Sequence, residues 1–213
     1  MTMATETQFI AKSHLAYTGT RTYIRGGDLY ACFEIGIRQT QPDLAPNLIK
    51  RMRLVREVGA DGEWVVTSSG LPDASATIEW LDGRAQQHMA AFIETGCTIT
   101  QRRPDLPSMV ASLTCDQAFA GQMLTKPLAS AADFLNAIIE GNKALHQETL
   151  ESRGEDHSSI RLIYIEDCPS ITSGQLQLEF ESIGVRASGD RRYSLCRVRS
   201  SAFSDDLKIC YGF

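Results

Sequence analysis

The sequence predicts an α+β protein of two tandem units, each an antiparallel sheet around one central helix. Three observations lead there. Pro127–Leu150 carries the pattern of a long amphipathic helix. A fainter copy of it stands about half a chain earlier, at Gly27–Gln39. Each helix is followed by segments in which apolar and polar residues alternate, as in half-buried strands.

The second helix is the better defined. Ser130 can cap it, and Asp133 three residues on completes an S-x-x-D capping box whose acidic member suits the positive end of the helix dipole. Phe134, Ala137, Ile138, Gly141 and Leu145 recur at spacings of three and four and so share one face. A glycine inside a helix costs about 1 kcal/mol against alanine, so Gly141 points to a close approach by a sheet. In the first half, Asp28-Leu29-x-x-Cys32-Phe33-x-x-Gly36 matches Asp133-Phe134-x-x-Ala137-Ile138-x-x-Gly141 position for position. A basic residue, Arg38 or Lys143, follows each. This reads as an internal duplication, although unrelated amphipathic helices also share apolar spacing.

In chain order, residues 1–12 read as a frayed lead-in and His14–Ile24 as a strand rich in Thr and Tyr. Gly26-Gly27 breaks it, and Asp28 can cap the first helix. Leu48–Val58 is a strand. Asp61-Gly62 signals a hairpin turn returning through Glu63–Ser68. Ala76–Leu81 and Gln86–Thr100 are strands joined at Asp82-Gly83, the latter bent near Gly96. Arg102–Pro107 is the candidate linker, separating a unit of residues 1–103 from one of 108–213. Met109–Leu113 is a short strand before the second helix. Ile160–Asp167, Gln175–Arg186, Arg191–Arg199 and Leu207–Phe213 follow it as four strands. Leu176, Leu178 and Phe180 alternate with polar neighbours, the signature of a sheet with one wet face.

Composition bounds the function. The chain has 213 residues and a net charge of −5, with no large Lys/Arg block, which disfavours nucleic acid as a partner. The local run Lys50-Arg51-x-Arg53-x-x-Arg56 alternates with apolar residues and reads as the wet face of a strand. No stretch is long and apolar enough for a membrane span, and the N-terminus lacks a signal core, so a cytoplasmic location is expected. Six scattered cysteines without a C-x-x-C pair read as reduced thiols, and no metal or other cofactor is expected. Phosphate loops, dinucleotide fingerprints, G-x-S-x-G elbows and H-E-x-x-H motifs do not occur.

The order strand, helix, four strands, written twice, resembles the hotdog fold, and two units in one chain resemble a double hotdog. The resemblance lies in element order and the helix repeat over nearly the whole chain. It implies acyl-thioester chemistry on acyl-CoA or acyl carrier protein, by a thioesterase or a 3-hydroxyacyl dehydratase, with a site at the seam of the units and pairing into a homodimer. A non-catalytic acyl-binding or assembly protein on the same fold is the alternative. In such a site a helix N-terminus polarises the carbonyl and a carboxylate or His acts as base. The candidates are Asp28, after Gly26 and Gly27, with Glu34 and His14 as further catalytic residues. Asp116, Gln117 and Asp133 are candidate substrate contacts. Each has a plain reading beside this one: Asp28 and Asp133 as helix caps, Glu34 as a solvent-facing residue. His146 reads as a cation near a helix end, off the core face, and His88 as an exposed strand-edge residue. The His-then-Pro-Gly pattern of dehydratases and the Gly-His-Val-Asn pattern of thioesterases are not written here.

Overall fold

The computed structural model describes residues 8–13, 15–18, 23–68, 71–104 and 107–213. The chain divides into two compact units, residues 1–107 and 108–213.

The first unit contains β1 (Gln8–Ser13), β2 (Tyr17–Thr18), α1 (Gly26–Thr40), β3 (Leu48–Leu54), β4 (Ala60–Val66), β5 (Ala76–Leu81), β6 (Gln87–Thr98) and β7 (Arg102–Arg103). Its main sheet is antiparallel, in the order β1-β4-β6-β5-β3. α1 stops where Pro42 opens a short 3-10 turn, since proline cannot continue the helical ladder. Leu29, Phe33 and Ile37 follow one another at spacing four on its buried face. Phe33 packs edge-on to Trp64 of β4 and Trp80 of β5, at 5.3 and 4.9 Å between ring centres. Trp64 in turn meets Phe92 at 5.4 Å. All four rings are fully buried, and the Trp80 indole N–H donates to the Leu44 carbonyl at 2.7 Å.

Several local expectations change. β1 occupies the supposed lead-in because it adds to the edge of β4, with Ser13 opposite Gly62. The strand expected over 14–24 reduces, among the described residues, to β2, which pairs in parallel with β7 inside the expected linker. Asp61-Gly62 lies within β4, where the ladder shifts register. The glycine serves packing there: a Cβ on Gly62 would stand 2.4 Å from the Ile93 carbonyl and 2.5 Å from the Phe92 ring. The connection after β4 passes beyond β6 to reach β5. Leu71 and Ala74 pack on Val65, Ala91 and Ile93, the face away from α1, since Val65 points opposite to its neighbour Trp64. Glu94 secures this crossing by accepting hydrogen bonds from the Gly59 and Ala60 N–H groups, the Ser75 hydroxyl and Arg56. Those donors hold its carboxyl below the usual range against the burial that would raise it.

The second unit contains β8 (Val110–Gln117), β9 (Ala120–Thr125), α2 (Ala131–Ser152), β10 (Arg161–Pro169), β11 (Gln177–Ser188), β12 (Arg191–Arg199) and β13 (Leu207–Gly212). Its antiparallel order is β8-β9-β11-β12-β13-β10. The short strand expected before the helix is thus a hairpin, turned by Ala118-Phe119 with Phe119 at a positive φ of 58°. β11 to β13 form a meander. In the first unit the second and third strands after the helix are separated by the fourth. The capping box forms: Ser130 Oγ accepts from the Asp133 N–H at 3.1 Å, and the Asp133 carboxylate accepts from the Ala129 N–H at 3.0 Å. Gly141 is a point of close approach between helix and sheet, where a Cβ would stand 2.3 Å from Met123 Sδ of β9.

Candidate functional site

Asp28 is the third residue of α1, not its cap. Arg25, extended at φ −72° and ψ 150°, is the N-cap, and no side chain caps this end. Gly26 and Gly27 lie inside the first turn and are buried. Among the described residues neither glycine N–H meets an acceptor, so this helix end retains the unsatisfied donors that every helix begins with. Asp28 stands beside them, 9% exposed. Arg103 of β7 reaches its Oδ1 at 2.6 Å, and Arg25 lies 3.5 Å from Oδ2. The strand pair β2–β7 positions that arginine, with Arg102 over the ring of Tyr17 at 5.3 Å.

Glu34 is buried rather than solvent-facing. Its Oε1 accepts from Arg38 Nη2 at 2.9 Å and Nε at 3.2 Å, an i,i+4 pair along α1. The structure therefore places Asp28 and Glu34 on one helix, each held by arginine. His14 lies outside the described residues. Asp133 is occupied by the capping box. His88 is tucked in rather than exposed at an edge, with Nε2 3.0 Å from Asp82 Oδ2 and its ring 5.4 Å from that of Trp80.

Asp116 is exposed near the end of β8, and Gln117 ends that strand. Asp116 lines a pocket of about 270 Å³ with Cys115, Ala118, Glu148, Thr149, Ser152 and Arg153.

Behind this pocket lies a group of residues that sequence reasoning missed. The sheet-facing side of α2 carries Asn142, His146 and Thr149, all buried. His146 is not an exposed cation at a helix end: it is fully enclosed, and burial lowers it from 6.5 to about 4, so it is neutral near pH 7. Its Nδ1 lies 2.7 Å from the Asn142 carbonyl, which can only accept, so Nδ1 carries the proton. Nε2 is then an acceptor, and the Ser194 hydroxyl of β12 donates to it. Next along the same face of β12, the Cys196 thiol donates to the Phe119 carbonyl at 3.3 Å, and burial pushes that thiol up to about 11. The Asn142 amide lies beside this thiol, and its hydrogen bond to the sulfur works against that rise.

Phe119 separates pocket and cluster. Its N–H donates to Thr149 Oγ1 at 3.0 Å, Arg153 lies over its ring at 5.4 Å, and on the inner side it packs against His146 at 4.7 Å. The spacing of Ile138, Asn142, Leu145 and Thr149 already put two of the polar residues on the apolar stripe, a signal legible in sequence.

Comparison with known proteins gives likeness of structure only. No family model and no curated protein matches the sequence. The tesB protein of Mycobacterium avium subsp. paratuberculosis is similar at a TM-score of 0.50 and 10% identity, over 92% of this chain and 89% of that one. A conserved protein of unknown function with a hot dog fold from Alicyclobacillus acidocaldarius follows at 0.46 and 11%, over 90% and 86%. GphF dehydratase 1 is similar at 0.42 and 10%, over 89% and 84%. What the likeness to the first of these shows is the fold: antiparallel sheets with central helices, of the hotdog type.

Proposed function

We propose that the protein acts on an acyl thioester, carried by CoA or by acyl carrier protein, as a thioesterase or a 3-hydroxyacyl dehydratase. The observation that carries this reading is the start of α1: buried, uncapped, opened by two glycines, and flanked by the Asp28 carboxylate. A carbonyl oxygen placed there receives the Gly26 and Gly27 N–H groups, reinforced by the helix dipole. Asp28 orients a water for attack or takes a proton from the acyl chain, with Arg103 fixing its position. Glu34 and His14 are the further catalytic candidates. Asp116 and Gln117 beside the second unit's pocket, and Asp133 at the start of α2, are substrate-contacting positions. The reading also takes the two units as products of one duplication and a second copy of the chain as a partner.

Thiol release across a series of acyl-CoA chain lengths tests it. Release that disappears in Asp28→Asn, with the melting temperature nearly unchanged, supports the assignment. Undiminished release in that variant removes Asp28 from the mechanism. A second reading, acyl binding without turnover, is favoured by one feature: both α1 carboxylates are engaged by arginines. Its mark is a ligand-induced rise in melting temperature without thiol release.

A further inference from the structure

We propose that Ser194 and His146 form the nucleophile–base pair of a separate, gated acyl-transfer centre in the second unit, taking acyl esters or thioesters, with the Phe119 turn as its gate. The proposal does not rest on the α1 site.

A serine becomes a useful nucleophile when a neutral imidazole nitrogen takes its proton and a third group holds that imidazole in the right tautomer. All three conditions are met. The Asn142 carbonyl fixes the proton on Nδ1, Nε2 accepts from the Ser194 hydroxyl, and burial keeps the ring neutral. Purely structural packing would favour an apolar residue at position 142. Instead, one helical turn back on the same face, the buried Asn142 amide has as its partner the Cys196 sulfur, a weak acceptor, which leaves its N–H groups available to a developing oxyanion.

Access is the remaining requirement. Phe119 bridges the pocket and the dyad: its N–H donates to Thr149 of the pocket wall and its ring packs on His146. Phe119 holds the left-handed conformation that a bulky side chain adopts only under local constraint. The constraint consists of its N–H on Thr149 and its C=O on Cys196. Release of those two bonds lets the turn relax outward and joins the pocket to the dyad.

The chemistry balances. Ser194 Oγ bonds to the acyl carbon while its proton passes to His146 Nε2. The C–S or C–O bond breaks, and the leaving thiolate or alkoxide takes that proton. Water then attacks the acyl-serine, giving its proton to Nε2, and Ser194 leaves with it. The net change is ester plus water to acid plus thiol or alcohol.

The test is a fluorophosphonate probe applied to the full chain, with the modified peptide identified by mass spectrometry, beside hydrolysis of p-nitrophenyl acyl esters. The expected result is one adduct, on Ser194, absent in Ser194→Ala and formed roughly 100-fold more slowly in His146→Gln, in line with loss of a general base. Phe119→Gly suits the positive φ, keeps the backbone bonds and removes the ring, so labelling should accelerate. Ser194 left unmodified in both the folded wild type and folded Phe119→Gly, while a serine hydrolase control is labelled, overturns the proposal. So does equal labelling with and without His146. Thioester turnover lost in Asp28→Asn yet intact in Ser194→Ala would uphold the α1 site alone.

Discussion

The two helices occupy comparable places in their units, and both bury an apolar stripe, yet they carry different polar groups into the core. α1 buries Leu29, Phe33 and Ile37, with Phe33 set among aromatic rings, and its buried polar groups are two carboxylates engaged by arginines, Asp28 in the first turn and Glu34 further along. α2 begins with a satisfied capping box and keeps its polar chemistry deep in its second half, at Asn142, His146 and Thr149. In the register that matches Asp28 with Asp133, Asn142 falls where the first helix has Ile37. Similar helical scaffolds can therefore place reactive polarity at a terminus, where backbone N–H groups are available, or in the core, where burial tunes the side chains.

The largest expected effect tests the apolar half of this contrast. Phe33→Ala removes the ring wedged between Trp64 and Trp80 and should destabilise by about 3–5 kcal/mol, read by denaturant unfolding. A loss below 1 kcal/mol would mean that this aromatic cluster does not organise the first unit. Next is pH. The unfolded chain binds a proton at His146 near 6.5 and the folded one only near 4. Its contribution is thus fully present above about pH 6.5 and disappears as pH falls toward 4, amounting to about 3 kcal/mol. His146→Gln should flatten this part of the stability profile. An unchanged slope would show that the imidazole is not buried neutral. A smaller change is expected from Asn142→Leu, which replaces an amide partnered only by the weakly accepting Cys196 sulfur with an apolar group: it should stabilise by about 1 kcal/mol while abolishing any Ser194 reactivity. Destabilisation would mean that the amide's hydrogen bonding outweighs the cost of burying it. The smallest effect is at the surface: Asp206→Asn loosens contacts to Arg197 and Arg199 on the exposed side of β12 and should leave the unfolding midpoint where it is.

Both helices could be read from sequence because their apolar residues recur at three and four, and Gly141 was interpretable as a close approach. Other features were set by partners remote in the chain. β1 is a strand because β4 offers an edge some fifty residues later, and nothing in Gln8–Ser13 alone announces it. Asp61-Gly62 carries a turn signature, but its glycine answers to the ring of Phe92. The β8–β9 turn was hidden because Phe119 is a poor residue for a positive φ and is held there by the core. At the site, Asp28 was found but placed as a cap, and its partner Arg103 comes from the far end of the unit. The polar stripe on α2 needed only the spacing rule applied to polar as well as apolar residues.

The crossing of the chain past β6 bears on how the first unit comes together. Until residues 87–98 are available, its sheet can exist only as two unconnected ribbons, β1 with β4 and β3 with β5. Two-stranded ribbons are marginal in water. β6 must then insert between them as a keystone and make both long-range pairings in one step. The second unit can zip β11 to β12 to β13 locally, with far less loop entropy per added strand. On a ribosome, the half that emerges first is therefore the half that must wait longest, relative to its own length, for its sheet to become one piece.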